Sequence, residues 1–400
     1  ALFTSTSAVC VTGLIVHDTA TYWTEFGQFV IISLIQVGGM GVVTVAVAVA
    51  MVSGKKIGLR ERSTMQDAIS APKVGGIVRF TGFILKGTFI VELTGAVLMA
   101  PQFIKDFGFV KGIWYAVFHS ISAFCNAGFD LMGVREPFSS LTHYVGHPVI
   151  NFAIMMLIVV GGLGFLTWED IWANRRCWRK YRMQSKVILT TTALLILIPA
   201  VIFYFLEFNG PEWQGRGARI WASLFQSVTP RTAGFNTVDL TAMSEPGQLL
   251  TAILMLIGGS PGSTAGGMKT TTLAVLLLSG WAVFYRKEDT QCYGRRISEE
   301  TVRYAAVVMM MYITLCIGGA LAISYLEGLP ILTCIYETAS AIATVGLTLG
   351  ITPELGTTSR IILILLMYCG RVGGLTLVYA AISGVKPHVS RLPQEKITVG

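Results

Sequence analysis

The chain has 400 residues, 13% of them charged and 53% hydrophobic, with a formal net charge of +8. Charge at about half the roughly 25% of an average soluble domain, with apolar blocks about 20 residues long, excludes a string of soluble domains and makes this a polytopic membrane protein. The positive excess is no nucleic-acid signal, because the basic residues lie in short loops between apolar blocks, where orientation in the bilayer accounts for them.

Taken in order, the chain begins on Ala rather than Met, with no cleavable signal expected, in a short stretch that leads into SAVCVTGL, Ser7 to Leu14. An apolar span is expected from about Gln28 to Met51, then a loop from Gly54 to Gly75 with Lys55, Lys56, Arg60, Arg62 and Lys73. A span near Gly76 to Ala100 is followed by a short re-entrant helix near Ile113 to Cys125, which enters SAFCNAGF, Ser122 to Phe129. Another span runs near His147 to Trp168 and ends in the most basic stretch of the protein, Arg175 to Arg182. Spans near Val187 to Leu206 and Gly247 to Phe284 flank VTPRTAGF, Val228 to Phe235; the second of them is interrupted. Beyond a loop with Arg286, Lys287, Arg295 and Arg296, spans near Val302 to Ser324 and Arg360 to Ser383 flank TASAIATVGLTLG, Thr338 to Gly350.

These four short segments say nearly the same thing. Aligned on glycine, their triplets are Val11-Thr12-Gly13, Asn126-Ala127-Gly128, Thr232-Ala233-Gly234 and Thr344-Val345-Gly346, each followed by Leu or Phe. The glycines are 115, 106 and 112 residues apart. A near-constant period of that length means four copies of one unit. The expected fold is an all-α polytopic membrane protein, with four parallel repeats of membrane helix, pore loop and membrane helix around one central pore, like a K⁺ channel folded from a single chain. The expected units are repeat one at 1–54, lacking its leading span, repeat two at 55–172, repeat three at 173–285, repeat four at 286–385 and a cytoplasmic tail at 386–400. A further N-terminal helix is expected to precede Ala1.

The triplets carry the chemistry. Thr344-Val345-Gly346 repeats the start of the TVGYG loop whose carbonyl oxygens replace water around K⁺. Glycine lets each loop aim carbonyls inward without a Cβ clash, and the C-terminal dipole end of each preceding short helix favours a cation. No carboxylate stands in the triplets, which argues against a Ca²⁺-type charged ring. Every basic loop follows a second span and precedes the next first span, so all lie on one face, expected to be cytoplasmic together with the C-terminus.

Other features divide between structure and function. Gly258-Gly259-Ser260-Pro261-Gly262-Ser263-Thr264-Ala265-Gly266-Gly267 breaks the second span of repeat three. It misses the phosphate-binding GxxxxGK[ST] pattern by one residue, Met268 before Lys269, and has no preceding strand, so nucleotide binding is rejected. The stretch is expected to form a flexible gate under the filter, against a plain packed kink. Arg371, in the middle of the last span, costs about 2.5–3.5 kcal/mol to insert even on a lenient scale. It is expected to face a water-filled pore, where its charge raises the barrier to cations, rather than to pair with an acid. Lys86, Glu92 and Glu337 are read as structural. Gly38-Gly39-Met40-Gly41, Gly161-Gly162-Leu163-Gly164, Gly266-Gly267-Met268-Lys269 and Gly373-Gly374-Leu375-Thr376 look like one small-residue signature shared by the second spans. Seven cysteines lack any metal-ligand spacing, and five histidines make no convincing site.

With these residues in place, the chain resembles the Trk/Ktr/HKT superfamily of K⁺ transporters and is most similar to the bacterial KtrB-type membrane subunit. The likeness covers essentially all residues and rests on the four spaced filter loops with GGSPGSTAGGMKTTT. It implies filter glycines at Gly13, Gly128, Gly234 and Gly346, a gating loop at Gly258 to Gly267 and a pore-facing arginine at Arg371. Glycine rather than serine at position 13 implies K⁺ selectivity. The resemblance further implies K⁺ uptake across the bacterial plasma membrane by a homodimer, regulated by a cytosolic RCK-type nucleotide-binding ring docked on the basic loops and tail. Membrane lipids are expected partners, nucleic acid is not. No covalent cofactor is expected; K⁺ is the transported ion and Na⁺ a candidate activator. A secondary transporter coupling K⁺ to Na⁺ or H⁺ is the alternative, and a membrane enzyme a distant third, since no cofactor motif or nucleophile–base pair is visible.

Overall fold

The computed structural model describes residues 1–41, 44–45, 77–210, 213 and 216–373. The basic loop at Gly54 to Gly75, the far end of the last span and the tail at 386–400 lie outside the described residues. What is described is helical apart from one short hairpin, β1 Gln291–Cys292 with β2 Arg295–Arg296.

Three long helices stand out: α4 Ile77–Phe107, α8 Met183–Leu206 and α12 Glu299–Glu327. Each is long enough to cross the roughly 30 Å hydrocarbon core at about 1.5 Å per residue. Their most apolar windows are a third buried or less, and large side chains such as Phe89, Leu197 and Leu321 stand exposed along them. Four short helices, α1 Leu2–Cys10, α5 Phe109–Phe124, α9 Arg216–Val228 and α13 Ile331–Ile342, carry many fully buried residues. Phe118, Phe124, Phe225 and Tyr336 on these are almost fully shielded. Apolar helices therefore surround apolar helices, the arrangement a bilayer solvates from outside.

The remaining main helices are α3 Glu25–Met40, α6 Pro148–Gly162, α7 Phe165–Asn174, α10 Glu245–Leu256, α11 Thr270–Phe284 and α14 Thr357–Val372, with a small turn of helix, α2 Thr19–Tyr22. Their starts are marked in the sequence. Thr24, Ser244 and Ser298 each cap a helix by accepting from a backbone N–H. Glu207, just past the end of α8, accepts from Ser244 N at 2.6 Å and Oγ at 2.7 Å; Glu327, at the end of α12, accepts from Gly356 N at 2.9 Å and Ser359 Oγ at 2.5 Å. A carboxylate at the end of a long helix thus holds the positive end of the second helix after it, α10 or α14.

The second spans are not the continuous helices the hydropathy suggests. The one expected over His147 to Trp168 breaks between α6 and α7 with a 98° bend. The cause is Gly164, at φ 87° and ψ 139°, a conformation only glycine adopts without strain. Gly41, at φ 84° and ψ 134°, ends α3 short of Met51, and Gly373, at φ 87° and ψ 134°, ends α14. The interruption expected in repeat three lies between α10 and α11.

Candidate functional site

The four triplets, far apart in sequence, meet at one place. A Cβ built on Gly13 would sit 2.5 Å from Ala127 O, one on Gly128 2.9 Å from Ala233 O, one on Gly234 2.3 Å from Val345 O, and one on Gly346 2.2 Å from Thr12 O. Each glycine therefore abuts the carbonyl of the next loop's middle residue, and the fourth closes on the first. No larger residue fits at any of the four without pushing a neighbouring backbone aside.

The loops share one backbone conformation. The first residue of every triplet has positive φ: Val11 58°, Asn126 57°, Thr232 69° and Thr344 52°. The glycine does too, at 91°, 68°, 80° and 96° in the same order, while the middle residue does not. Alternating the sign of φ turns successive carbonyls toward one side, the geometry of a carbonyl-lined ion site. β-Branched Val and Thr in the left-handed region are outliers, and such strain, about 1–3 kcal/mol per residue, persists only where the surroundings impose it. The short helices α1, α5, α9 and α13 end at Cys10, Phe124, Val228 and Ile342, within four residues of the first residue of each triplet, and direct their partial negative ends toward them. The hydroxyls of Thr12, Thr232 and Thr344 are buried there without a protein partner, free to ligate a dehydrated cation. The amide of Asn126 is spent on the scaffold instead, donating to Ala123 O at 3.0 Å and Ile158 O at 3.3 Å.

Sequence reasoning missed the residues that hold these loops. Ser7 Oγ accepts from Gly13 N at 3.1 Å, and Ser340 Oγ accepts from Gly346 N at 3.0 Å. Ser122 Oγ donates to Phe129 O at 2.7 Å, and Thr229 Oγ1 donates to Phe235 O. The available signal was a serine six residues before the glycine in three of the four segments. Farther back on α5, His119 Nε2 accepts from Leu131 N at 3.3 Å. On α13, Glu337 accepts from Thr348 Oγ1 at 2.7 Å and from Thr352 Oγ1. Glu337 thus has the structural role read for it.

Directly against one side of this ring lies the segment Gly258 to Gly267. Ser260 N donates to Gly162 O at 2.9 Å, Thr264 N to Gly161 O at 3.3 Å and Phe165 N to Gly262 O at 2.8 Å, which stitches the segment into the break between α6 and α7. Thr264 Oγ1 donates to Phe124 O at 3.0 Å, at the end of α5. A Cβ on Gly266 would lie 2.1 Å from Thr344 Oγ1, and one on Gly267 2.9 Å from Ala343 O, so the segment also touches the fourth triplet. Its ends are tied by Gly258 N to Met268 O at 2.7 Å and Thr270 N to Gly259 O at 3.0 Å. Lys269, weighed in the sequence only as a mismatched phosphate motif, donates to Ala265 O at 2.8 Å and Gly266 O at 3.3 Å.

Arg371 completes the span across the ring. Its guanidinium donates to Thr264 O at 2.5 Å, to Gly39 O at 3.2 Å and to Gly38 O. It therefore joins α14, the interrupting segment and the end of α3, and among the described residues no carboxylate forms an ion pair with it. The acid pairing weighed as its plain explanation is absent there, and backbone carbonyls take its place.

The small-residue signature needs a corrected register. A Cβ on Gly38 would lie 2.0 Å from Val9 O, one on Gly161 2.1 Å from Phe124 O, and one on Gly370 1.9 Å from Ile342 O. These three carbonyls stand four residues before their respective triplet glycines, so Gly370-Arg371-Val372-Gly373 matches Gly38-Gly39-Met40-Gly41 and Gly161-Gly162-Leu163-Gly164. The Gly373-Gly374 alignment is one turn too far along, and its last three residues lie outside the described residues. Arg371 therefore occupies the position held by Gly39 and Gly162.

Glu92 is buried on α4, and Lys86 is exposed on the same helix. Beyond the second triplet, Asp130 keeps one edge exposed and accepts from Met132 N at 2.9 Å. Burial, with the nearby Asp18 carboxylate adding to it, pushes the Asp130 carboxyl up to about 7. Cys10, Cys125, Cys316 and Cys334 are buried and unpaired, as small apolar residues would be.

The family model for TrkH, described as a cation transport protein, matches residues 1–386. The potassium/sodium uptake protein NtpJ of Enterococcus hirae is 39% identical over 411 residues, covering 100% of this chain and 89% of that protein. The Ktr system potassium uptake protein B of Bacillus subtilis is likewise 39% identical, with the same 100% and 89% coverage. The crystal structure of the potassium transporter TrkH from Vibrio parahaemolyticus superposes with a TM-score of 0.73 at 20% identity, covering 94% of this chain and 77% of that one.

Proposed function

Because the chain belongs to the TrkH family of cation transport proteins, and is a multi-pass membrane transporter rather than an enzyme, we propose that it is the ion-translocating subunit of a Ktr/Trk-type K⁺ uptake system. The observation that carries this reading is the closed ring of Gly13, Gly128, Gly234 and Gly346, each packed on the carbonyl of the next loop. Four parallel repeats, at 1–54, 55–172, 173–285 and 286–385, surround one pore. The twelve triplet residues form its selectivity filter, with carbonyls in place of K⁺ hydration.

Gly258 to Gly267 is the gate. Its backbone occupies the space beside the ring, anchored on repeats two and four, and Arg371 bolts it to repeat one. Each charge-assisted bond of this kind contributes about 1.5–3 kcal/mol, enough to hold a closed state against a segment rich in glycine. Opening requires Arg371 to exchange Thr264 O for water. The basic loops face the cytoplasm, where they and the tail dock an RCK-type nucleotide-binding ring, and the functional unit is a homodimer in the plasma membrane. Na⁺ is an activator by the same reading, in keeping with a relative described as a potassium/sodium uptake protein.

The deciding experiment is ion competition for Rb⁺ uptake into liposomes holding the purified protein. Block by K⁺ and hardly by Na⁺ is the expected result. Equal block by both would remove the glycine ring as the selectivity element and bring the Na⁺-coupled transporter forward.

A further inference from the structure

On the basic face, an open groove of about 430 Å³ runs between α8, α11 and the start of α12, within the range of about 300–1,000 Å³ typical of ligand sites. Its walls are apolar along the spans, with Val187 on α8 and Val275 and Leu278 on α11. Its mouth is polar, with Arg296 and Ser298. Thr271 also lines it, one residue past Thr270, whose Oγ1 lies 3.1 Å from Ser260 Oγ.

The mouth adjoins a cluster of cations set among aromatic rings. The ring of Tyr293, in the β1–β2 hairpin, meets Trp178 edge-on at 6.3 Å, and Trp178 lies 5.6 Å from Tyr181. Lys186 Nζ sits 5.7 Å from the centre of the Tyr293 ring and donates to Arg179 O at 3.3 Å. Arg296 is held by Asp289 at 2.6 Å. Among the described residues, Arg175, Arg176, Arg179, Lys180 and Arg295 have no ion-pair partner, so the acids nearby do not neutralise the cluster.

Trp and Tyr gather where headgroups meet hydrocarbon, and basic pockets between spans hold anionic headgroups. An apolar slot between two spans that opens onto such a cluster matches one amphiphile, with a long acyl chain and a phosphate at its end. We propose that this groove binds an anionic phospholipid, its chain against Val187, Val275 and Leu278 and its phosphate on Lys186, Arg179 and Arg296. A soluble phosphate would leave the apolar slot empty, and a neutral lipid would leave Lys186 and Arg179 without a counter-charge. The occupied site places a lipid chain beside the first turn of α11, where the interrupting segment is anchored. The inference rests on the membrane-spanning fold and on the groove, not on the assignment of filter or gate.

The test uses the full chain purified in mild detergent and incubated with dioleoylphosphatidylglycerol or dioleoylphosphatidylcholine. Lipid retained after gel filtration is counted by native mass spectrometry, without reference to ion flux. Retention of phosphatidylglycerol at least fivefold above phosphatidylcholine is expected. Arg179→Gln with Lys186→Gln should lower it about fivefold. Val275→Trp should lower it with every cation in place, and Val275→Met is the milder filler if tryptophan disturbs folding, as judged by circular dichroism. Equal retention of both lipids, or retention unchanged in the cation and filler variants, overturns the site. So does disulfide capture of two chains through Leu278→Cys, which would mean that a second copy covers the groove.

Discussion

The ring of triplets and the break just beside it are built by opposite rules. In the ring all four repeats do the same thing: the same sign pattern of φ, the same glycine against the same neighbouring carbonyl. At the break they diverge. Gly38, Gly161 and Gly370 still pack on the end of a short helix, but the next residue is glycine in two cases and Arg371 in the third, and repeat three inserts an extra segment. A dehydrated ion needs equivalent oxygens from every side, and that need suppresses variation in the ring. A gate needs one element that moves against three that do not. On the proposed reading, selectivity lies in what the repeats share and control in what they do not.

The largest expected effect comes from breaking the shared part. Gly13→Ser puts a Cβ 2.5 Å from Ala127 O at a φ of 91°, and strain of about 2 kcal/mol corresponds to roughly a thirtyfold loss of K⁺ over Na⁺ discrimination. Permeability ratios from reversal potentials in planar bilayers read it directly, and unchanged ratios would remove Gly13 from the filter. Breaking the divergent part should act on rate and spare discrimination. Arg371→Gln removes the bonds to Thr264 O and Gly39 O, and K⁺ flux should rise about tenfold through a shifted closed–open balance. Deleting the small residues between Ser260 and Gly266 should act in the same direction. A well-folded variant whose flux falls would make the segment a scaffold instead.

How far the sequence discloses these two regions follows the same divide. The ring is legible because its four copies share a glycine followed by Leu or Phe and are evenly spaced, and the long helices are legible because lipid-facing surface is apolar over whole turns. The breaks are not. Hydropathy is blind to the φ of Gly164 or Gly373, so α6 and α7 read as one span. The register of Arg371 is hidden because repeats three and four each offer more than one small-residue stretch, Gly258-Gly259 or Gly266-Gly267, Gly370 or Gly373-Gly374. Only packing on the carbonyls of Val9, Phe124 and Ile342 chooses between them. Ser7, Ser122 and Ser340 stood in plain view, but a bond closing over six residues has no periodic signature.

That buttress gives a smaller test of sameness. Ser340→Ala leaves Gly346 N without its 3.0 Å acceptor, at a cost of about 1 kcal/mol, or roughly a fivefold loss of discrimination. Ser7→Ala should match it, because Ser7 serves Gly13 in the same way. Unequal losses from the two would mean that the four loops are not interchangeable even in the ring.

The smallest effect should come where the symmetry first fails, two residues past the glycine. Repeats one, three and four have Ile15, Asn236 and Thr348 there, and repeat two has Asp130. Its carboxyl is pushed up to about 7, from an unfolded value near 3.8, by burial and then by Asp18. The folded protein therefore holds more protons than the unfolded chain between about pH 4 and 7, so stability falls as pH rises through that window and stays reduced above it. Asp130→Asn removes the titration. Its melting temperature should exceed that of the parent by about 2–4 °C more at pH 8 than at pH 4, read by thermal unfolding in detergent. A gap independent of pH would mean that solvent at the exposed edge of Asp130 already supports its charge. The one acid at this position would then be as neutral to stability as the three uncharged residues it replaces.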